Sequence, residues 1–199
     1  MRKNLWFLAW VWPNLLFAAD LDNGAQLHKK CALCHGQWSQ GIPGGLYPRL
    51  AGLPETYLRQ QIEDYRQGRR KDNAMVVIGG LVNMPESDLT DLIAYIASID
   101  LAQRMRFNIP TAEGYVRGGA QIYRRQCEAC HGSHGEGSPH KGTPPLAGQY
   151  TEYLRKQIKD FSENTRNHGT DTGDNELGIA TAEALQNLLA YLSTLDDGR

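Results

Sequence analysis

The sequence predicts an all-α protein of two tandem halves. Three observations predict it: a pentapeptide that occurs twice, an internal repeat at a fixed offset, and apolar residues at helical rather than alternating spacing in both halves. The pentapeptide is Cys-x-x-Cys-His, present as Cys31-Ala-Leu-Cys34-His35 and Cys127-Glu-Ala-Cys130-His131, and the two copies use all 4 cysteines of the chain. Each is a c-type haem attachment site. The thiols add across the vinyl groups of one porphyrin, and the adjacent histidine is placed to bind the iron as proximal ligand. The pattern therefore predicts two covalently bound haem c groups, attached through Cys31, Cys34, Cys127 and Cys130 and ligated by His35 and His131.

Other uses of the motif fit poorly. A structural zinc site asks for four ligands converging from two knuckles, whereas these pairs stand 96 residues apart and each carries a histidine that zinc chemistry does not require. A thioredoxin-like dithiol asks for one motif at a helix start inside a βαβ pattern. No strand pattern lies near either pair.

From the amino terminus, Met1-Arg2-Lys3, an apolar run from Leu5 to Phe17, and Ala18-Ala19-Asp20 follow the order of a secretory signal. The run is too short to span a bilayer and is interrupted by Pro13 and Asn14. Residues 1–19 are expected to be a cleavable signal peptide, cut after Ala18 or Ala19, and the mature protein to be exported to the periplasm. Losing Arg2 and Lys3 from 21 basic residues leaves 19 against 22 acidic ones, a formal charge of −3. Such a mildly acidic chain is no nucleic-acid binder.

The repeat organises the remainder. At the offset of 96, Pro48-x-Leu50-Ala51-Gly52 falls on Pro144-x-Leu146-Ala147-Gly148, and Tyr57-Leu58-Arg59 on Tyr153-Leu154-Arg155. Gln61-Ile62-x-Asp64-Tyr65 meets Gln157-Ile158-x-Asp160-Phe161, and 16 of the 35 positions from 31 to 65 are identical to their counterparts. Two homologous domains follow, 20–100 and 115–199, joined by a linker over 101–114 that holds Pro110 and has no clean period.

Each half then has the same plan. Short helices over 24–30 and 118–126 lead into the motifs, a Gly- and Pro-rich loop follows, and an amphipathic helix begins near Pro54 or Thr151. The final helices start at caps Ser87 and Thr181. Tyr57, Tyr65, Tyr95, Tyr153, Phe161 and Tyr191 recur at helical spacing and are expected to pack in the core. A domain of about 85 residues is small for an apolar core alone, so the porphyrin is expected to supply buried surface as well as chemistry.

With both motifs, the Pro-x-Leu-Ala-Gly loops and the tandem helical halves, the chain resembles the dihaem cytochromes of the c4 type. It is similar, too, to the dihaem cytochrome subunit of flavocytochrome c sulfide dehydrogenases. The resemblance implies two class I cytochrome c domains packed together with haem edges close. The role it implies is a periplasmic electron carrier, or the electron-transfer subunit of a larger oxidoreductase, rather than an enzyme. The partners implied are redox proteins, a flavoprotein or a membrane oxidase among them. In this family a distal methionine lies between the amphipathic and final helices, an interval that here holds Met75 and Met84. Arg70-Lys71-Asp72-Asn73-Ala74 resembles the family's basic approach to that methionine, which favours Met75, while Met84 before Pro85 suits an apolar staple at the helix start.

The second half breaks this pattern, because no methionine follows Met105 and the positions opposite Met75 and Met84 are Asp171 and Ala180. His168, in Arg166-Asn167-His168-Gly169, is the imidazole of the equivalent loop. It is a candidate distal ligand, with a solvent-exposed loop histidine and an open five-coordinate iron as the alternatives. An open iron would make the protein a haem enzyme or gas-binding protein. His28, His134 and His140 are expected at the surface.

Overall fold

The computed structural model describes residues 18–72, 74–168, 177, 179 and 181–195. Residues 1–17 of the expected signal, Asp171 and Ala180 lie outside them. The first half runs α1 (Leu21–His35), α2 (Glu55–Arg66), a π-helical turn (Ala74–Ile78) and α3 (Glu86–Ser98), followed by a 3-10 turn (Leu101–Gln103). The second runs α4 (Val116–Gln126), α5 (Glu128–His131), a 3-10 turn (Pro139–Lys141), α6 (Thr151–Ser162) and α7 (Ala182–Leu192). Among the described residues the β-structure amounts to one isolated bridge, Ser138 to Thr143. No helix there is long and apolar enough to cross a membrane.

In each half the helix bearing the motif, or leading into it, crosses the final helix at a glycine. A Cβ on Gly24 would lie 2.2 Å from the carbonyl oxygen of Asp91 in α3, and one on Gly119 would lie 1.9 Å from that of Asn187 in α7. Only a residue without a side chain lets the backbones come this close. The crossing buries one face of α1, and with it His28, which is 3% exposed rather than at the surface as its sequence position suggested. Its ring packs on Tyr95 at 5.3 Å, as Tyr123 packs on Tyr191 at 5.3 Å in the second half. Its Nε2 is 2.7 Å from Ser39 Oγ.

The amphipathic helices behave as their period requires. Leu58, Ile62 and Tyr65 join Leu89, Leu92, Ile93 and Ile96 in one core, and Leu154 joins Tyr123, Leu188, Leu189 and Leu192 in the other. Two helix starts differ from expectation. α1 runs from an Asp20 cap, whose carboxylate accepts from the backbone N–H of Asp22 and Asn23, through the whole first motif. α3 begins at Glu86 after Pro85, which places Ser87 inside the first turn instead of at the cap. Proline's fixed φ suits it to a helix start, and Glu86 and Asp88 complement the positive end of the helix dipole. Thr181 does cap α7, accepting from the N–H of Ala184 at 3.0 Å.

Candidate functional site

Both motif histidines end a helix and are followed by a glycine in the left-handed region, Gly36 at φ 81° and Gly132 at φ 82°. This turn brings the Pro48 and Pro144 loops back over the rings. His35 Nδ1 lies 2.9 Å from the carbonyl oxygen of Pro48, and His131 Nδ1 lies 2.9 Å from that of Pro144. A carbonyl oxygen only accepts, so each Nδ1 carries the proton and each Nε2 keeps its lone pair. His35 Nε2 is buried without a hydrogen-bond partner. Burial holds both imidazoles below their ordinary pKa and hence neutral. A neutral imidazole whose N–H is spent on a backbone carbonyl is the form that ligates a metal. Burial also pushes the thiols of Cys31 and Cys127 up to about 11.

Cys31, Cys34 and His35 share one cleft of about 1850 Å³ with Cys127, Cys130 and His131. Its walls include Leu50, Ile62, Leu92 and Ile93 of the first half and Leu146, Ile158, Leu188 and Leu192 of the second. In each half, paired cysteines, a pinned imidazole and an apolar wall fit a covalently held haem.

The distal residues separate. Met75 sits in the π-helical turn, where its N–H donates to the Asp72 carboxylate at 3.2 Å, and its side chain lines the cleft. Met84 packs against the first core, as Met75 also does, but is not among the residues that line the cleft, and its carbonyl accepts from the Arg66 guanidinium at 2.7 Å. In the second half His168 also lines the cleft, half-buried, with its ring centroid 6.2 Å from that of His131 and the planes 26° apart. Two imidazoles bound to opposite faces of one metal, each through a bond of about 2 Å, have centroids about 6 Å apart. Phe161 braces His168 edge-on at 4.8 Å. His134 and His140 are exposed, as expected.

Between the two pockets lies a feature that sequence reasoning missed. Arg70 donates to Gln61 of its own half at 3.0 Å and, across the seam, to the Tyr153 hydroxyl and Gln157 Oε1, each at 3.0 Å. Arg166 donates to Gln157 of its own half and, across the seam, to the Tyr57 hydroxyl at 3.1 Å and Gln61 Oε1 at 2.8 Å. The guanidiniums stack at 4.7 Å on Tyr65 and Phe161 respectively. Every member has its counterpart 96 residues away, so the repeat itself carried the signal. Tyr57 and Tyr153 therefore do more than fill a core. A second pair of bonds closes the seam beside Pro48: the Arg49 N–H donates to Gln149 Oε1, and Gln149 Nε2 donates to the Arg49 carbonyl, both at 3.0 Å.

Comparison with known proteins gives the same two-part picture. The chain matches the family described as Cytochrome c over residues 21–100 and again over 116–196. It is 34% identical over 173 residues to cytochrome c4 of Pseudomonas aeruginosa, covering 85% of this chain and 83% of that one. It is 32% identical over 180 residues to the thiosulfate dehydrogenase electron acceptor of Stutzerimonas stutzeri, covering 83% of each. Among solved structures, reduced recombinant cytochrome c4 from Pseudomonas stutzeri matches with a TM-score of 0.73 at 28% identity, over 89% of this chain and 100% of that one.

Proposed function

We propose how this chain works from one premise: it belongs to the cytochrome c family, as an electron-transfer protein of the dihaem c4 type with two covalently bound haem c groups. Its electron transfer takes place in the periplasm, after removal of residues 1–19, with domains over 20–100 and 115–199 and a linker over 101–114. Cys31 and Cys34 attach the first haem and Cys127 and Cys130 the second. The chain acts as a carrier between redox proteins and performs no reaction of its own on a small molecule. One relative accepts electrons from thiosulfate dehydrogenase, which supports a dehydrogenase of small sulfur compounds as donor class.

Haem supplies one-electron chemistry, and the residues around it set the potential. His35 and Met75 would hold the iron of the first haem, and His131 and His168 that of the second. The observation that carries this assignment is the His131–His168 centroid separation of 6.2 Å. A filled sixth position keeps small ligands off the iron, as suits a carrier. Thioether ligation would raise the potential relative to imidazole, so Met75 would give the first site the higher potential and His168 the second site the lower one.

Carbon monoxide tests the assignment. The ferrous wild-type protein is expected to resist it, His168→Ala to bind one equivalent rapidly, and Met75→Ala to lose the ferric methionine-to-iron charge-transfer band that Met84→Ala retains. Rapid uptake of carbon monoxide by the wild type at one haem would show an open second iron and return the protein to the enzymes and gas binders.

A further inference from the structure

We propose that each distal loop is held in place by the opposite half of the molecule: Tyr153 and Gln157 position the Met75 loop through Arg70, and Tyr57 and Gln61 position the His168 loop through Arg166. The proposal rests on the ligand assignment above and goes beyond it, by naming what holds each ligand over its iron. Arg70 stands five positions before Met75, and Arg166 two before His168. Each guanidinium makes one hydrogen bond to its own half and two across the seam. The acceptors sit on α2 and α6, whose buried faces fix them, whereas the arginines sit beyond the helix ends in connecting segments. A rigid element therefore holds a loop, and in both cases the rigid element belongs to the other domain.

Energetics favour the closed arrangement. Arg166 is 8% exposed, and Gln157 is 4% exposed. Releasing a loop would carry its guanidinium to water but leave buried acceptors such as Gln157 without a donor, and an unpaired buried acceptor is costly. The described hydrogen-bond partners of both guanidiniums are neutral side chains, which hold the cations by geometry and not by an ion pair. Each distal loop is thus held by the opposite half, and disturbing an acceptor of one half is felt at the iron of the other.

That crossing is the test. Tyr153→Phe and Tyr57→Phe keep the rings and remove one acceptor each, and both are studied as full-length protein carrying both haems. Tyr153→Phe is expected to weaken the methionine-to-iron band of the first haem and leave the second unchanged. Tyr57→Phe is expected to speed carbon monoxide binding at the second haem about tenfold and leave the methionine band intact, since the bond lost is to a charged donor. An effect confined to the half that bears the substitution, or no effect in either, would overturn the proposal. His168→Ala and Met75→Ala serve as controls: if they leave the ligand signatures unchanged, the assignment itself fails and the proposal with it. If they alter the signatures while the tyrosine variants do not, the cross-domain anchoring alone is wrong.

Discussion

One imidazole ring does three jobs in this chain, and its neighbours decide which. His35 and His131 are held in the tautomer that can ligate a metal, by a proline carbonyl that takes Nδ1–H. His168 is braced by Phe161 over the same pocket. His28 is a buried packing residue, satisfied by Ser39 and tilted against Tyr95. Burial, and secondarily the proximity of His35, holds its pKa below the ordinary 6.5. The unfolded chain takes up that proton more readily than the folded one, so His28 contributes stability above pH 6.5 that is lost progressively as the pH falls below it. The thermal midpoint of the holoprotein should drop between about pH 7 and about pH 5, and His28→Gln should shrink that drop. Equal drops in both proteins would show that His28 takes up its proton without cost. The motif histidines were legible as a pentapeptide, because attachment chemistry requires residues adjacent in sequence. His28 was not, since its neighbours Ser39 and Tyr95 come from elsewhere in the chain.

At the scale of elements, apolar periodicity found the amphipathic helices and both cores, and it found them because burial of one helix face is a local pattern. It did not find the crossings. Gly24 and Gly119 look like ordinary mid-helix glycines, yet α1 on α3 and α4 on α7 approach so closely that a single methyl would overlap a carbonyl oxygen. Gly24→Ala and Gly119→Ala should each destabilise the protein by about 1–3 kcal/mol, in denaturant titrations of protein with full haem content. Unchanged midpoints would mean that the helix pairs separate freely. The starts of α3 and α7 show the limit of cap signals. Thr181 forms its side-chain bond, while at α3 Pro85, with its stiffened backbone, takes the cap position two residues before Ser87.

At the scale of the molecule, two halves with near-equivalent helices bring unlike side chains to one cleft, the Met75 thioether from the first and the His168 imidazole from the second. Redox titration should resolve two waves, with the haem lacking the methionine band reduced at the lower potential. Two indistinguishable methionine-ligated spectra would refute the arrangement and direct attention to Met105, which lies in the linker at 36% exposure. Arg70 and Arg166, which exchange partners across the seam between the halves, line the same cleft as His35, Met75, His131 and His168.

Cofactor number, tandem organisation and helical class could all be read from the chain as written, because thioether attachment, duplication and amphipathic burial each leave a mark at fixed sequence spacing. The proximity of His168 to His131, the burial of His28 and the hydrogen bonds that Arg70 and Arg166 make across the seam belong to the folded molecule. Each depends on residues up to 109 positions apart meeting at hydrogen-bond or ring-contact distance. No local pattern encodes such a meeting until helix crossings and the closing of the seam bring the groups together.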